Sequence, residues 1–367
     1  MVSSDLLARL LRPAGGGVHL VSSGREEQLG LERRLYGAAE QGEVEARWRR
    51  DLSAATTAQV VLLGIPSDVG GGVQRGANLA PAAVRARLIA DHAARLARAR
   101  ARGLVDIGDV FCVPQLLEDA MLSADQLERT RRAIYPDAPE GERQGLPASP
   151  LTIAERALSL VLSDNPGVRV VVLGGDHSTA LPAVRALSTV RPGLGIVQVD
   201  AHTDLLAERL GIRHCFGTWA YHANDVVGRG GRMVQIGIRA SARDRTHWES
   251  TLSVRQLWAA EVRADPVAAM ETVIRQLRAA GVRSVYLSND IDGTDPAHAG
   301  ATGAPEPGGL EPDWVRSLVR RLGSEIGLAG GDVVEVAPQV ASPPGDRTLE
   351  VAAEYLLETI EAALGPG

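Results

Sequence analysis

The chain has 367 residues, 45% of them hydrophobic and 3% aromatic, and a formal net charge of −6. That length and apolar content suffice for one large α/β core with extensions. The acidic balance gives no global field for phosphate backbones, and so few rings make no stacking platform, so nucleic acid is not an expected partner. Cys112 and Cys215 supply neither a disulfide framework nor a thiolate metal motif. No stretch reads as a secretory signal or a membrane span, so a cytoplasmic setting is expected.

Residues 1–58 read as an N-terminal extension: a short helical start, a break at Gly15-Gly16-Gly17, then a charged stretch through Trp48. Residues 59–367 form the expected catalytic domain. Its first buried strand is VVLLG at 60–64, followed by the glycine-rich loop IPSDVGGGVQRG. Pro81 opens a helical pattern to about Leu96, since proline suits the first helical turn. A strand at 104–107 follows, then a polar excursion at 135–150 and a helix at 151–163. Further strands are expected at 169–173, 195–199, 233–238, 284–288 and 332–336. Helical patterns near 178–188, 266–280, 311–323 and 348–363 alternate with them. Such alternation predicts a mostly parallel sheet covered on both faces.

Three segments place acids or histidine at the carboxyl end of a predicted strand, where an open parallel sheet leaves its ligand crevice. They are GGDHS with Asp176, His177 and Ser178, DAHTD from Asp200 to Asp204, and SNDIDGTDP with Asp290, Asp292 and Asp295. Burying so many carboxylates together makes sense only if cations hold them. In an extended backbone Asp200, His202 and Asp204 point the same way, Asp290 and Asp292 repeat the i, i+2 relation, and His177 gives a third approach. Six ligands for two ions leave room for shared carboxylates, with the metals about 3.5 Å apart. Oxygen and imidazole donors suit a borderline-hard divalent ion such as manganese.

The bland reading is that these acids cap helices or line turns, which for GGDHS alone is a serious competitor. Asp176 is assigned to outer support of the ligands, and Asp295 to the turn that orients Asp292. Glu335, in DVVEVAP, is a candidate to bind a cationic head, since a guanidinium suits its fork geometry, and taken alone it is equally suited to pair with a local arginine. His214 is the candidate proton shuttle, His222 its competitor, and His298 a candidate substrate contact. His19, His92 and His247 have no such context. Nothing supports Cys215 as a nucleophile, and Gly70 to Gly72 lack the flanking pattern of a nucleotide loop, so no cofactor beyond metal is expected.

The ordered set GGDHS, DAHTD, SNDIDGTDP and EVAP resembles the ureohydrolase family, which includes arginase, agmatinase, guanidinobutyrase and formiminoglutamase. The resemblance runs over about residues 60–360. It implies an arginase-type three-layer α/β fold around a mostly parallel eight-stranded sheet, assembled as a homotrimer or homohexamer. One ion would take His177, Asp200, Asp204 and Asp290; the other His202, Asp200, Asp290 and Asp292. Glu335 would position the guanidinium group, while Asp204 would orient the tetrahedral intermediate and His214 would move the proton. Hydroxide attack on the guanidinium carbon would release urea and an amine or ammonia. Two departures bear on substrate. The family's histidine-glycine pair is replaced by His214-Cys215-Phe216-Gly217, and Leu206 stands where arginases carry asparagine. Agmatine, a guanidino acid or guanidine is therefore expected over arginine. Formiminoglutamate hydrolysis and a metal-binding, non-catalytic protein are the alternatives, while the related single-zinc deacetylases fit the second aspartate poorly.

Overall fold

Nine strands form one sheet in the computed structural model, which describes residues 2–20, 22–72, 74–340 and 346–366. Residue 73 of the glycine-rich loop and residues 341–345 fall outside that description. The strands are β1 (Leu11–Arg12), β2 (Val60–Ile65), β3 (Leu104–Val110), β4 (Arg169–Gly174), β5 (Leu194–Val199), β6 (Met233–Ile238), β7 (Arg255–Trp258), β8 (Ser284–Asp290) and β9 (Leu328–Val334). Their spatial order is β1-β3-β2-β4-β9-β8-β5-β6-β7, and all neighbours are parallel except β1 and β3.

Strand alternation divides the core into two layers. In β2, Val61, Leu63 and Ile65 face one side, and Val60 and Leu62 the other; in β4, Val170 and Val172 oppose Val171 and Leu173. Helices Pro150–Asp164, Ala180–Ser188 and Trp219–Val226 cover the first face. Helices Ala80–Asp91, Pro266–Ala279, Pro312–Glu325 and Thr348–Leu364 cover the second. With both faces dry, the strands read as continuous apolar runs.

Eight parallel strands were expected, and eight are present once the short antiparallel β1 is set aside. Three details differ from the sequence expectation. Strand β7 was not anticipated, because RQLW is short and its buried Gln256 breaks the apolar signal. The last strand starts at Leu328 and ends before Glu335, earlier than the expected 332–336. Its Gly330 lies so close to β4 that a Cβ would collide with the Val170 carbonyl, so the glycine is required where propensity argues against a strand. The helix expected from Pro81 to Leu96 breaks at His92 into Ala80–Asp91 and Ala93–Ala101.

Residues ahead of β2 are built onto the sheet rather than hung from it. Helices Val2–Leu10, Arg25–Tyr36 and Gln41–Ala54 precede β2, and β1 pairs with β3 through Leu11 opposite Val110. Buried Trp48 donates its Nε1 hydrogen to the Ile107 carbonyl at 2.9 Å. Asp109 accepts the Gly15 amide at 2.7 Å and pairs with Arg85, which also grips Asp106 at 2.8 and 2.9 Å. Covering β3 in this way removes an edge open to pairing with another chain. Trp48→Ala is expected to cost about 3–5 kcal/mol in urea unfolding. A change below about 1 kcal/mol would show that the N-terminal helices are not integral to the fold.

Candidate metal centre

The four strands at the middle of the sheet, β4, β9, β8 and β5, end side by side, and each delivers one chemical segment. GDHS follows β4, DAHTD follows β5, Asp290 closes β8, and Glu335 follows β9. Convergence is therefore a consequence of strand order, not of any single motif. Two residues depart from ordinary backbone here: Asp204 has φ 50° and Glu335 φ 60°. Left-handed conformation at a non-glycine residue costs on the order of 1–3 kcal/mol and persists only where surroundings impose it. Asp204 thus reaches the cluster from a left-handed backbone, not the extended backbone expected from spacing. Trp219 holds it there, donating Nε1 to Asp204 Oδ2 at 3.0 Å.

His177 is fully buried, with Nδ1 3.2 Å from Asp200, 3.3 Å from Asp204 and 3.0 Å from Asp290. That nitrogen makes an aligned hydrogen bond with none of the three. A buried polar atom aimed among three carboxylates without a bond is the geometry of a ligand, not of a satisfied core histidine. The far nitrogen, Nε2, meets Ser288 Oγ at 2.9 Å. Ser288 donates onward to Asp332 at 2.9 Å, and Tyr286 adds a second donor at 2.8 Å. This chain puts the proton on Nε2 and leaves the Nδ1 lone pair for a cation. The ring also stacks on Trp219, centroids 4.4 Å apart.

His202 completes a second group, its Nδ1 3.0 Å from Asp292 and 3.5 Å from Asp200. Backbone amides set the acids: Ala201 donates to Asp292 at 3.0 Å, His202 to Asp200 at 2.6 Å, and Asp292 to Asp290 at 2.9 Å. The donor atoms of His177, Asp200 and Asp290 lie within 4.8 Å of one another, as do those of Asp200, His202 and Asp292. Two overlapping groups that share Asp200 fit a pair of divalent cations.

Electrostatics make the same demand. Burial, then the charges of Asp292 and Asp200, push the Asp290 carboxyl well above the usual range. Burial and the Asp200 charge raise Asp204 to about 6. Burial opposes charge on His202, yet bonds from Asp200 and Asp292 outweigh it and lift the imidazole to about 12. Protons are poor substitutes here. Cations would satisfy every acid at once.

The remaining candidates divide clearly. Asp176 accepts the Gly70 and Ser178 amides at 3.0 and 2.9 Å, which ties the glycine-rich loop to the cluster. Asp295 accepts the Ala297, Gly308 and Gly309 amides and so fixes its turn. Glu335 accepts the His177 amide on Oε1 at 2.8 Å, and its Oε2 has no hydrogen-bond partner among the described residues. His214 has both ring nitrogens engaged, Nδ1 with Glu118 at 2.7 Å and Nε2 with Arg185 at 3.0 Å. His222 meets the Ala207 and Arg213 carbonyls at 3.0 Å and packs edge-on against His214. His298 pairs with Glu311 at 3.0 Å. Cys215 is buried, which raises its thiol.

Sequence reasoning missed Ser288, Asp332 and Gln198, and it read Trp219 as a pocket wall where the ring instead braces Asp204 and stacks on His177. A signal existed for two of them. Gln198 and Ser288 each stand two residues before a clustered aspartate, so they share its side of the strand within otherwise apolar runs.

Comparisons with known proteins agree with this geometry. The family model for the Arginase family matches residues 58–361. A guanidinobutyrase of Pseudomonas aeruginosa is 30% identical over 294 residues, covering 78% of this chain and 79% of that protein. A proclavaminate amidinohydrolase of Streptomyces clavuligerus is 31% identical over 286 residues, 76% of this chain and 80% of that one. A solved structure titled as the proclavaminate amidino hydrolase of the same organism superposes with TM-score 0.65 at 28% identity, covering 84% and 92% of the two chains. Asp200→Ala is expected to remove metal and activity together, read by elemental analysis and product release. Two ions per chain with full turnover would refute the shared-ligand geometry. The chain belongs to the arginase (ureohydrolase) family, carries its binuclear metal cluster, and is a metal-dependent hydrolase of linear amidine C–N bonds.

Proposed function

We propose that the chain cleaves a small guanidino compound to urea and an amine or ammonia, with agmatine, a guanidino acid or guanidine preferred over arginine. The observation that carries this reading is Glu335. One oxygen is held by the His177 amide, the other has no hydrogen-bond partner among the described residues, and the residue stands at the end of β9 beside the cluster. A carboxylate fixed in this way can receive a guanidinium through paired N–H donors.

Under this reading His177, Asp200, Asp204 and Asp290 hold one ion, and His202, Asp200, Asp290 and Asp292 the other. Manganese is the first choice for such oxygen and imidazole donors, and nickel the alternative. When bound, a metal pair supplies an acidified water and offsets the charge of the acids. The protein's own part is orientation. Glu335 presents the guanidinium carbon, and Asp204, braced by Trp219, orients the tetrahedral centre. His214 is assigned the proton transfer to the leaving amine, which requires Nε2 to release Arg185.

Substrate preference rests on the mouth of the site. Leu206 is apolar and 45% exposed, so it offers no hydrogen bond to an amino-acid end. Phe216 is anchored to the glycine-rich loop through its amide on the Gly70 carbonyl at 3.0 Å. Two relatives that cover 78% and 76% of this chain are a guanidinobutyrase and a proclavaminate amidinohydrolase, which supports a guanidino substrate. We extend the proposal to residues 59–367 as the catalytic domain with 1–58 as an extension, and to a cytoplasmic homotrimer or homohexamer that binds no nucleic acid. No helix among the described residues is long and apolar enough to cross a membrane.

Urea release from guanidine, agmatine, 4-guanidinobutyrate and arginine, with manganese or nickel loaded, tests the reading directly. Formamide from formiminoglutamate would transfer the assignment to that reaction, and no product with two bound ions would leave a metal-binding protein without this activity. Glu335→Gln is expected to lower kcat/KM about ten- to a hundredfold, as one charge-assisted pair is lost, with metal content unchanged. His214→Ala should depress kcat with metal retained. Unchanged kinetics across about pH 6 to 10 would place the proton relay elsewhere.

A further inference from the structure

Three glutamines cross the sheet beneath the cluster in one row. Gln198 of β5 stands opposite Gln235 of β6, which stands opposite Gln256 of β7. All three are fully buried. Gln198 Nε2 donates to Asp200 Oδ2 at 2.7 Å, Gln235 Nε2 to Gln198 Oε1 at 2.7 Å, and Gln256 Nε2 to Gln235 Oε1 at 2.8 Å. At the outer end the half-exposed Trp258 donates Nε1 to Gln256 Oε1 at 3.2 Å.

The direction of this chain is forced. An ionised Asp200 only accepts, so Gln198 must turn its amide nitrogen inward and its oxygen outward. The Trp258 indole only donates, so Gln256 must turn its oxygen toward it. Gln235 lies between, and its second N–H goes to the Thr203 carbonyl at 2.6 Å, another obligate acceptor. Both ends and the middle therefore agree on one polarity, and no amide can flip without leaving a buried group unpaired. Three carboxamides in a dry layer are costly unless satisfied, and apolar side chains fill the neighbouring positions of the same strands. Packing alone does not account for them.

We propose that Gln198, Gln235, Gln256 and Trp258 form a positioning relay that fixes the Asp200 carboxylate and the Thr203 turn for metal binding. The relay acts through Asp200, the acid shared by both donor groups, so it governs both ions rather than one. It touches neither substrate nor reacting atoms. Aligned amide dipoles also strengthen one another in a low-dielectric layer, which carries the influence of Trp258 to the centre. The proposal rests on the two-metal reading above.

The test is manganese titration calorimetry on the full-length chain, paired with the unfolding midpoint of the metal-free protein. Gln198→Met and Gln235→Met keep side-chain volume and remove the amide. Each is expected to weaken manganese binding about ten- to a hundredfold, the usual effect of losing a partner behind a ligand. Gln256→Met should weaken it less, and Trp258→Phe least, so the loss is graded along the row. A purely structural role would lower the metal-free midpoint in all four and leave affinity unchanged, which would overturn the proposal. Where the buried variants fail to fold, Trp258→Phe decides, because it removes one donor at the half-exposed end; parental affinity there would overturn the relay. If the parent itself binds two ions of neither manganese nor nickel, the two-metal reading has failed instead.

Discussion

Mutual repulsion among buried carboxylates is the constraint on which the rest of this structure depends. Asp200, Asp204, Asp290 and Asp292 lie in one pit at the end of the sheet, almost without solvent. At these separations and in a poorly polarisable interior, unshielded like charges repel by several kcal/mol each. The His202 imidazole offsets part of that charge, and hydrogen bonds from the Ala201, His202 and Asp292 amides offset more. Neither removes it. The two overlapping donor groups suit divalent cations, which would meet the remainder.

That arrangement follows from strand order. Placing β9 and β8 between β4 and β5 brings together four carboxyl ends that lie far apart in sequence. Close contact at this centre needs small residues, and Gly330 allows β9 to lie against β4. Around the pit, hydrogen-bonded polar groups fix the ligands from behind: Ser288 and Asp332 for His177, Trp219 for Asp204 and the glutamine row for Asp200. The left-handed backbone at Asp204 and Glu335 is local strain held by these contacts, at the two positions where side chains must turn back toward the cluster.

Much of this was legible in the sequence because its signals are local. Strands buried on both faces read as apolar runs, and acids at their ends read as a crevice. His177, Asp200, His202, Asp290 and Asp292 could be grouped from spacing alone. What spacing cannot give is the left-handed backbone at Asp204, which brings that residue to the cluster by a different local route from the alternation expected. Strand β7 was hidden because a buried glutamine looks like a surface residue until its partners on β6 are known. The docking of residues 2–54 was equally hidden, since Trp48 finds its acceptor 59 positions later in the chain. His214 shows the same limit. Adjacency to DAHTD made it the candidate shuttle, and its ring bonds to Glu118 and Arg185, from distant segments, could not be read from that adjacency.

The most direct measurement of the central claim is the thermal midpoint of metal-free protein as manganese is added, with bound ions counted at saturation. If cations relieve the repulsion in the pit, two ions bind per chain and the midpoint climbs with free metal as linkage requires, by about 2.7 kcal/mol of stabilisation for a site held at a hundredfold excess over its Kd. Saturation at fewer than two ions, or two ions with an unmoved midpoint, would contradict it.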